Sequence, residues 1–205
     1  GDFKTVKSTN SGLFIKGQIR DFALIDNQLF VAVSNSGTNN RVMTSSDGLI
    51  WVIQKSANSN NWTSVCWSST LNLFVAIAKS GYINRIITSS DGDTWYEQIA
   101  PTDNDLESIV WSPELSLFVA VSNSGANRIM TSSDGINWEY NKYRLSNLSI
   151  YHNLCWAESI KTLIGFGYTS SYAAGTPFLI LNQFLNPSYN YRLGLFLFVP
   201  LIGLA

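Results

Sequence analysis

Short apolar runs of four to six residues alternate with polar turns along most of the chain, and nowhere does the pattern show a helical period. The clearest stretch reads as four strands: Ser64–Trp67, Leu73–Ala78, Arg85–Ser89 and Trp95–Ile99. Between them lie polar turns at 68–72, 79–84 and 90–92, the last a Ser-Asp-Gly turn. Strands of this length, broken by Gly, Asn and Ser, predict one antiparallel meander. The same frame fits residues 22–24, 29–33 and 41–45, and again 109–111, 117–121 and 128–132. A fourth, decayed copy begins at Leu154-Cys155-Trp156, continues through 162–166, and takes its last two strands from 178–181 and 189–192.

The strand pattern repeats because the sequence itself does. NRVMTSSDGLIW starts at residue 40, NRIITSSDGDTW at 84 and NRIMTSSDGINW at 127, so the copies are 44 and then 43 residues apart. A fixed period of that size marks propeller blades or stacked units. The expected fold is therefore an all-β propeller of four-stranded antiparallel blades, with four recognisable repeats and four to five blades in all. Residues 1–18 supply an N-terminal strand segment, 19–60, 61–104, 105–148 and 149–192 the repeats, and 193–205 an apolar tail. In each copy an Asp-Gly pair predicts a tight hairpin turn, since Gly accepts positive φ and Asp accepts hydrogen bonds from nearby backbone N–H groups. Asp47-Gly48, Asp91-Gly92 and Asp134-Gly135 are thus expected to build turns, each beginning at Ser45, Ser89 or Ser132. Trp51, Trp95 and Trp138 follow, each four residues after its Asp, where a large ring can wedge over the hairpin.

These segments resemble the Asp-box repeat of bacterial neuraminidases, of rough form Ser-x-Asp-x-Gly-x-Thr-Trp. They depart from it in lacking a residue between Asp and Gly, and only the middle copy keeps Thr before Trp. The resemblance implies a propeller in which the box is a structural hairpin between third and fourth strands, remote from any catalytic face. Proteins with such repeats include sialidases, other glycosidases, lectins, assembly factors and viral or phage proteins. A sialidase would need an arginine triad, a Tyr–Glu nucleophile pair and an acid/base Asp. Arg41, Arg85 and Arg128 instead occupy identical repeat positions, as duplicated structure does, and no Glu stands in a recognisable pairing with a Tyr.

Composition narrows the chemistry further. The net charge is −1 and only 13% of residues are charged, so there is no basic footprint for nucleic acid. His152 is the only histidine, which rules out a His-based metal cluster, and no metal or cofactor is expected. Cys66 and Cys155 fall at one repeat position two blades apart, too far for the roughly 5.5 Å Cα separation of a disulfide, and are expected to be free, buried thiols. No signal peptide is visible, and an extracellular or virion-surface setting stays open. The tail, LGLFLFVPLIGLA, is shorter than the roughly 20 residues a membrane-spanning helix requires.

If the Asp turns occupy one face of the propeller, the remaining loops occupy the other. The loops at 34–40, 79–84 and 122–127 are rich in Asn, Ser and Gly and end at an Arg. Their amides, hydroxyls and guanidiniums could hold a glycan or a partner surface. The candidate ligand-binding residues are Asn35, Asn40, Arg41, Tyr82, Asn84, Arg85, Asn123, Asn127 and Arg128; equally, the repeated Arg could pair with backbone carbonyls or a carboxylate at a blade boundary. The functional reading is a non-catalytic binding or structural module, working through its loop face and edges on protein partners or copies of itself. The alternatives are a multivalent glycan-binding lectin, including viral or phage attachment, and a sialidase-like glycoside hydrolase.

Overall fold

The structure, a computed structural model, describes residues 7–8, 19–25, 29–37, 41–125, 128–140, 150–157, 159 and 161–168. Two-residue strand β1 (Lys7–Ser8) precedes a first blade of β2 (Ile19–Ile25), β3 (Leu29–Ser34), β4 (Val42–Ser45) and β5 (Ile50–Gln54). The second blade holds β6 (Trp62–Ser68), β7 (Leu73–Ala78), β8 (Ile86–Ser89) and β9 (Tyr96–Gln98). The third holds β10 (Leu106–Ser112), β11 (Leu117–Ser122), β12 (Ile129–Ser132) and β13 (Glu139–Tyr140), and β14 (Ile150–Ala157) with β15 (Thr162–Tyr168) opens a fourth. Each blade is an antiparallel meander in chain order, and β1 joins the outer edge of the first blade in parallel with β5. The strands expected at 178–181 and 189–192, the tail at 193–205 and most of segment 1–18 lie outside the described residues. Among the described residues no helix is long and apolar enough to cross a membrane.

Blades form because each middle strand is apolar on both faces. Val42 to Ser45, Ile86 to Ser89 and Ile129 to Ser132 are buried along their whole length, which requires a neighbouring sheet on either side. Among the described residues three clusters lie between blades, and a fourth, of Ala32, Met43 and Trp51, lies within the first blade. Val31, Val33 and Val42 of the first pack against Trp62, Val65, Phe74 and Trp95 of the second. Val75, Ile77 and Ile86 of the second pack against Ile109, Trp111 and Phe118 of the third, and Val119, Val121 and Ile129 pack against Leu154 and Leu163. Within a blade the aromatic rings form a sandwich. Phe74 sits 4.5 Å from Trp67 and 6.3 Å from Trp95, and Phe118 lies 4.7 Å from Trp111 and 6.3 Å from Trp138, as tilted pairs. In the first blade Leu24 replaces the inner Trp. There Phe22 is 65% exposed, whereas its counterparts Val65 and Ile109 are 3% and 4% exposed.

The Ser-Ser-Asp-Gly turns take the shape their chemistry predicts. Asp91 Oδ1 accepts N–H bonds from Asp93 and Thr94 at 2.9 and 2.8 Å, and Ser89 Oγ accepts from Gly92 N at 2.8 Å. The same net recurs at Ser45-Asp47-Gly48 and Ser132-Asp134-Gly135. Each indole closes the turn by donating to the glycine carbonyl, Trp95 Nε1 to Gly92 O at 2.8 Å and Trp138 Nε1 to Gly135 O at 2.9 Å. The ring is therefore a hydrogen-bonded cap as well as packing. Ile50 and Leu49 N–H groups hold the Asp47 carboxyl below its ordinary value, and the Thr94 N–H does the same at Asp91. At Asp134 burial pushes upward, but the Asn137 amide and N–H, with Ile136 N–H and Ser132, prevail and hold the pKa down to about 2. Stability from Asp134 is thus complete above the ordinary carboxylate value and lost as pH falls through about 2.

Gly135 has φ +77°, and a Cβ there would lie 2.7 Å from Leu73 Cδ2 and 3.2 Å from Val75 Cγ2 of the preceding blade. Gly48 has φ +71°, but a Cβ there would meet only Phe30 of its own blade, at 3.6 Å. Both Gly→Ala changes incur left-handed strain of roughly 1–2 kcal/mol, and Gly135→Ala adds an inter-blade collision. Urea unfolding is expected to show Gly135→Ala about 1–2 kcal/mol less stable than Gly48→Ala; equal losses would show that the turn does not clamp the preceding blade.

Candidate functional site

The inner strands β2, β6, β10 and β14 share an irregularity. Pairing slips between Ile19 and Asp21, Trp62 and Ser64, Leu106 and Ser108, and Tyr151 and Asn153. The extra residues are Arg20, Thr63, Glu107 and His152, each followed by a second polar residue. Two adjacent polar residues cannot keep strict alternation with one apolar face, so the strand bulges, and in β2, β6 and β10 the bulge re-aims their side chains. The strands also start earlier than expected: residues 62–63 and 106–108, which precede the strand starts expected at 64 and 109, belong to β6 and β10.

The second residue of each of the first three bulges ties its blade to the next. Asp21 Oδ2 accepts from Ser64 Oγ at 2.7 Å and Val65 N at 3.1 Å. Ser64 Oγ in turn accepts from Ile109 N at 3.2 Å, and Ser108 Oγ accepts from Leu154 N at 3.0 Å while donating to Asn153 Oδ1 at 3.1 Å. Thr63 Oγ1 adds a 2.8 Å bond to Leu106 O. One backbone N–H per junction is thereby satisfied by the preceding blade's side chain.

Around these bonds opens a polar cavity of about 270 Å³, lined by Arg20, Asp21, Asn35, Asn61, Thr63, Ser64, Lys79, Glu107, Ser108 and Asn153. It lies at the strand ends that carry the loops after β3 and β7 and the links between blades, on the face opposite the Asp turns. Lys79 Nζ meets Glu107 Oε1 at 2.5 Å, and Asn123 Nδ2 donates to the same oxygen. Asn35, its carboxamide oxygen assigned to the Arg20 side, accepts from Arg20 Nε at 2.8 Å and Nη2 at 2.7 Å. Burial pushes the Asp21 carboxyl above its ordinary value, although Ser64, Val65 N and Phe22 N bond to it and pull the other way. Among the described residues, no three His, Cys, Asp or Glu side chains converge as a metal site.

The expected ligand residues divide. Asn35 lines the cavity and Asn123 reaches its Glu107, whereas the three arginines are engaged by carbonyls of their own loops, and Arg41 and Arg85 also by the link that follows their blade. Arg41 Nε donates to Gly37 O at 2.9 Å and its Nη1 to Asn61 Oδ1 at 2.8 Å; Arg128 Nε donates to Gly125 O at 2.9 Å. Arg85 is 6% exposed and binds Tyr82 O, Lys79 O, Asn104 O, Asp103 and Asp105. The carbonyl and carboxylate pairing named as the alternative for these arginines is the geometry found. Asn84 receives the Asn60 amide and donates to Glu97 Oε1 at 3.3 Å. Tyr82 stands 71% exposed with no role in the cavity. Asn40 and Asn127 lie outside the described residues. Cys66 and Cys155 are free thiols, but Cys66 is half-buried and Cys155 exposed rather than both being buried. Burial and the neighbouring Asp21 charge push the Cys66 thiol up.

Arg20, Asp21, Thr63, Ser64, Lys79, Glu107, Ser108 and Asn153 escaped sequence reasoning, which followed what the repeats share. The legible signal was the opposite one: a polar pair inside an apolar strand, with its first member different in every repeat.

No protein-family model matches the chain, and no curated protein matches it in sequence. Solved structures do match in fold. A chain of a nidogen–laminin complex aligns with TM-score 0.62 and 15% identity over 82% of this chain and 63% of its own. Virginiamycin B lyase from Staphylococcus aureus aligns with TM-score 0.59 and 14% identity, over 80% and 56%. YCF48 bound to a D1 peptide aligns with TM-score 0.54 and 17% identity, over 80% and 62%. The chain folds as a β-propeller. It spans less than two thirds of each of these propellers.

Asp21 supplies a test of this site's electrostatics. A carboxyl with a raised folded pKa favours the fold when protonated, so its contribution declines as pH rises from the ordinary value of 3.8 to the raised one, then stays constant. Urea midpoints across pH 4 to 7 are expected to fall for the native chain relative to Asp21→Asn, which lacks the titration; parallel profiles would show that Asp21 is not desolvated.

Proposed function

We propose that the chain is a non-catalytic protein-binding propeller whose partner enters the cavity on the face opposite its Asp-box hairpins. The carrying observation is asymmetry within a repeat. Equivalent bulge positions hold Arg20, Thr63, Glu107 and His152, while the turns on the other face hold the same Ser-Ser-Asp-Gly three times. Structural duty keeps equivalent residues alike, and a single binding site needs them different. The engaged arginines support one site over three repeated ones, which weighs against a multivalent lectin. They also supply no free triad for a sialidase, and both Asp21 oxygens and Glu107 Oε1 are committed to neighbouring donors, which favours binding over catalysis. The bonding of Ser, Asp, Gly and Trp in each hairpin supports the Asp-box reading. Propellers caught in a complex with laminin or with a D1 peptide lend the protein-binding reading its precedent.

Panning a phage-displayed random peptide library against the chain is expected to enrich ligands that the folded double variant Arg20→Ala, Asn35→Ala binds at least about tenfold more weakly, the effect of removing a central contact. Peptides that bind the variant equally would place the partner elsewhere. An empty selection with a positive glycan array would replace this reading with the lectin.

A further inference from the structure

The hydrogen-bonding capacity of the cavity is lopsided, and this defines what its ligand offers. On the acceptor side almost everything is spent. Asp21 accepts from Phe22 N, Ser64 Oγ and Val65 N, and Glu107 Oε1 is taken by Lys79 and Asn123, which leaves Oε2 as the carboxylate oxygen without a hydrogen bond among the described residues. The Ser64 and Ser108 hydroxyls each donate once and accept once between blades. Donors remain in excess. Arg20 uses Nε and Nη2 on Asn35 and keeps Nη1, and a guanidinium has five N–H bonds to give. Lys79 places one of three N–H bonds on Glu107, and its side chain is 42% exposed. Asn61 and Asn153 use their carbonyl oxygens, on Arg41 and Ser108, leaving both NH₂ groups to donate. Among the described residues no carboxylate lies within ion-pair distance of Arg20.

Cationic groups and amides with N–H bonds to spare in a recess are matched by an anionic group that only accepts, and the anion that unmodified peptides carry is the carboxylate. We infer that the cavity receives a carboxylate of the bound peptide, from an acidic side chain or from a chain terminus, held by Arg20, Lys79 and the neighbouring Asn amides. This rests on the protein-binding reading above. Glu107 then acts against the ligand: it occupies Lys79 and adds a like charge. Its removal strengthens binding, which distinguishes a carboxylate site from a merely polar one.

The test is a titration of the ¹⁵N-labelled chain, followed by amide chemical shifts, with three capped peptides. N-acetyl-Gly-Gly-Glu-amide carries a side-chain carboxylate, N-acetyl-Gly-Gly-Gly a terminal one, and N-acetyl-Gly-Gly-Gln-amide none. One or both carboxylates are expected to shift the amides of residues 20–22, 35, 61–65, 79 and 107–109, and which does so identifies the source. The Gln peptide leaves these amides unmoved. Arg20→Gln and Lys79→Met each weaken binding roughly tenfold, the loss of a charge-assisted bond, added salt weakens it further, and Glu107→Gln tightens it severalfold. Equal binding of the Gln peptide at these amides would overturn the carboxylate while leaving a peptide site in place. Unmoved amides with all three peptides, or weaker binding by Glu107→Gln, would overturn it as well. An empty peptide selection together with unmoved amides would remove both proposals.

Discussion

A blade of this protein has two apolar faces, and neither can be left in water. The middle strands are buried along their length, so a single meander exposes too much apolar surface to stand alone. Each blade is stable only between neighbours. The other structural devices serve that constraint: the Phe between two Trp rings fills the gap, the glycine turn lies close enough to the preceding blade to exclude a Cβ, and one inner-strand side chain bonds the next blade's backbone. The first blade displays the requirement by contrast, since Phe22 occupies a position its counterparts bury and is itself exposed.

The two ends of the blades divide the labour. At one end, the Ser-Asp-Gly turn is repeated without meaningful variation because one geometry, with glycine at positive φ and Asp accepting two N–H bonds, solves the same problem three times. At the other end the inner strands bulge, and the residues released from the sheet no longer have to match from blade to blade. Charge of both signs gathers there: Arg20, Asp21, Lys79 and Glu107 line one cavity. The two carboxylate populations have opposite electrostatics. The turn aspartates are held down by N–H donors, whereas Asp21 is pushed up by burial although it too has donors.

Most of the fold was legible because it repeats: the period, the Asp-Gly pairs and the apolar runs are local signals, and strand order follows from them. The site was only partly legible. Asn35 and Asn123 were found by their loop, but Arg41, Arg85 and Arg128 were candidates by position alone, and only their bonds show all three holding carbonyls of their own loops, with Arg85 and Arg41 also reaching the link between blades. Cys155 was expected to be buried like Cys66 at the same repeat position, yet burial depends on what stands opposite, and it is exposed.

The amino-acid sequence by itself determined the blade, since turn chemistry and strand alternation act over a few neighbouring residues. Tertiary structure decided which polar residues meet. Arg20, Lys79 and Glu107 come from three blades and from separate parts of the chain, and no local pattern relates them. They converge only because the inner strands pack side by side, the bulges bring Arg20 and Glu107 to one cavity and the loop after β7 brings Lys79 to it.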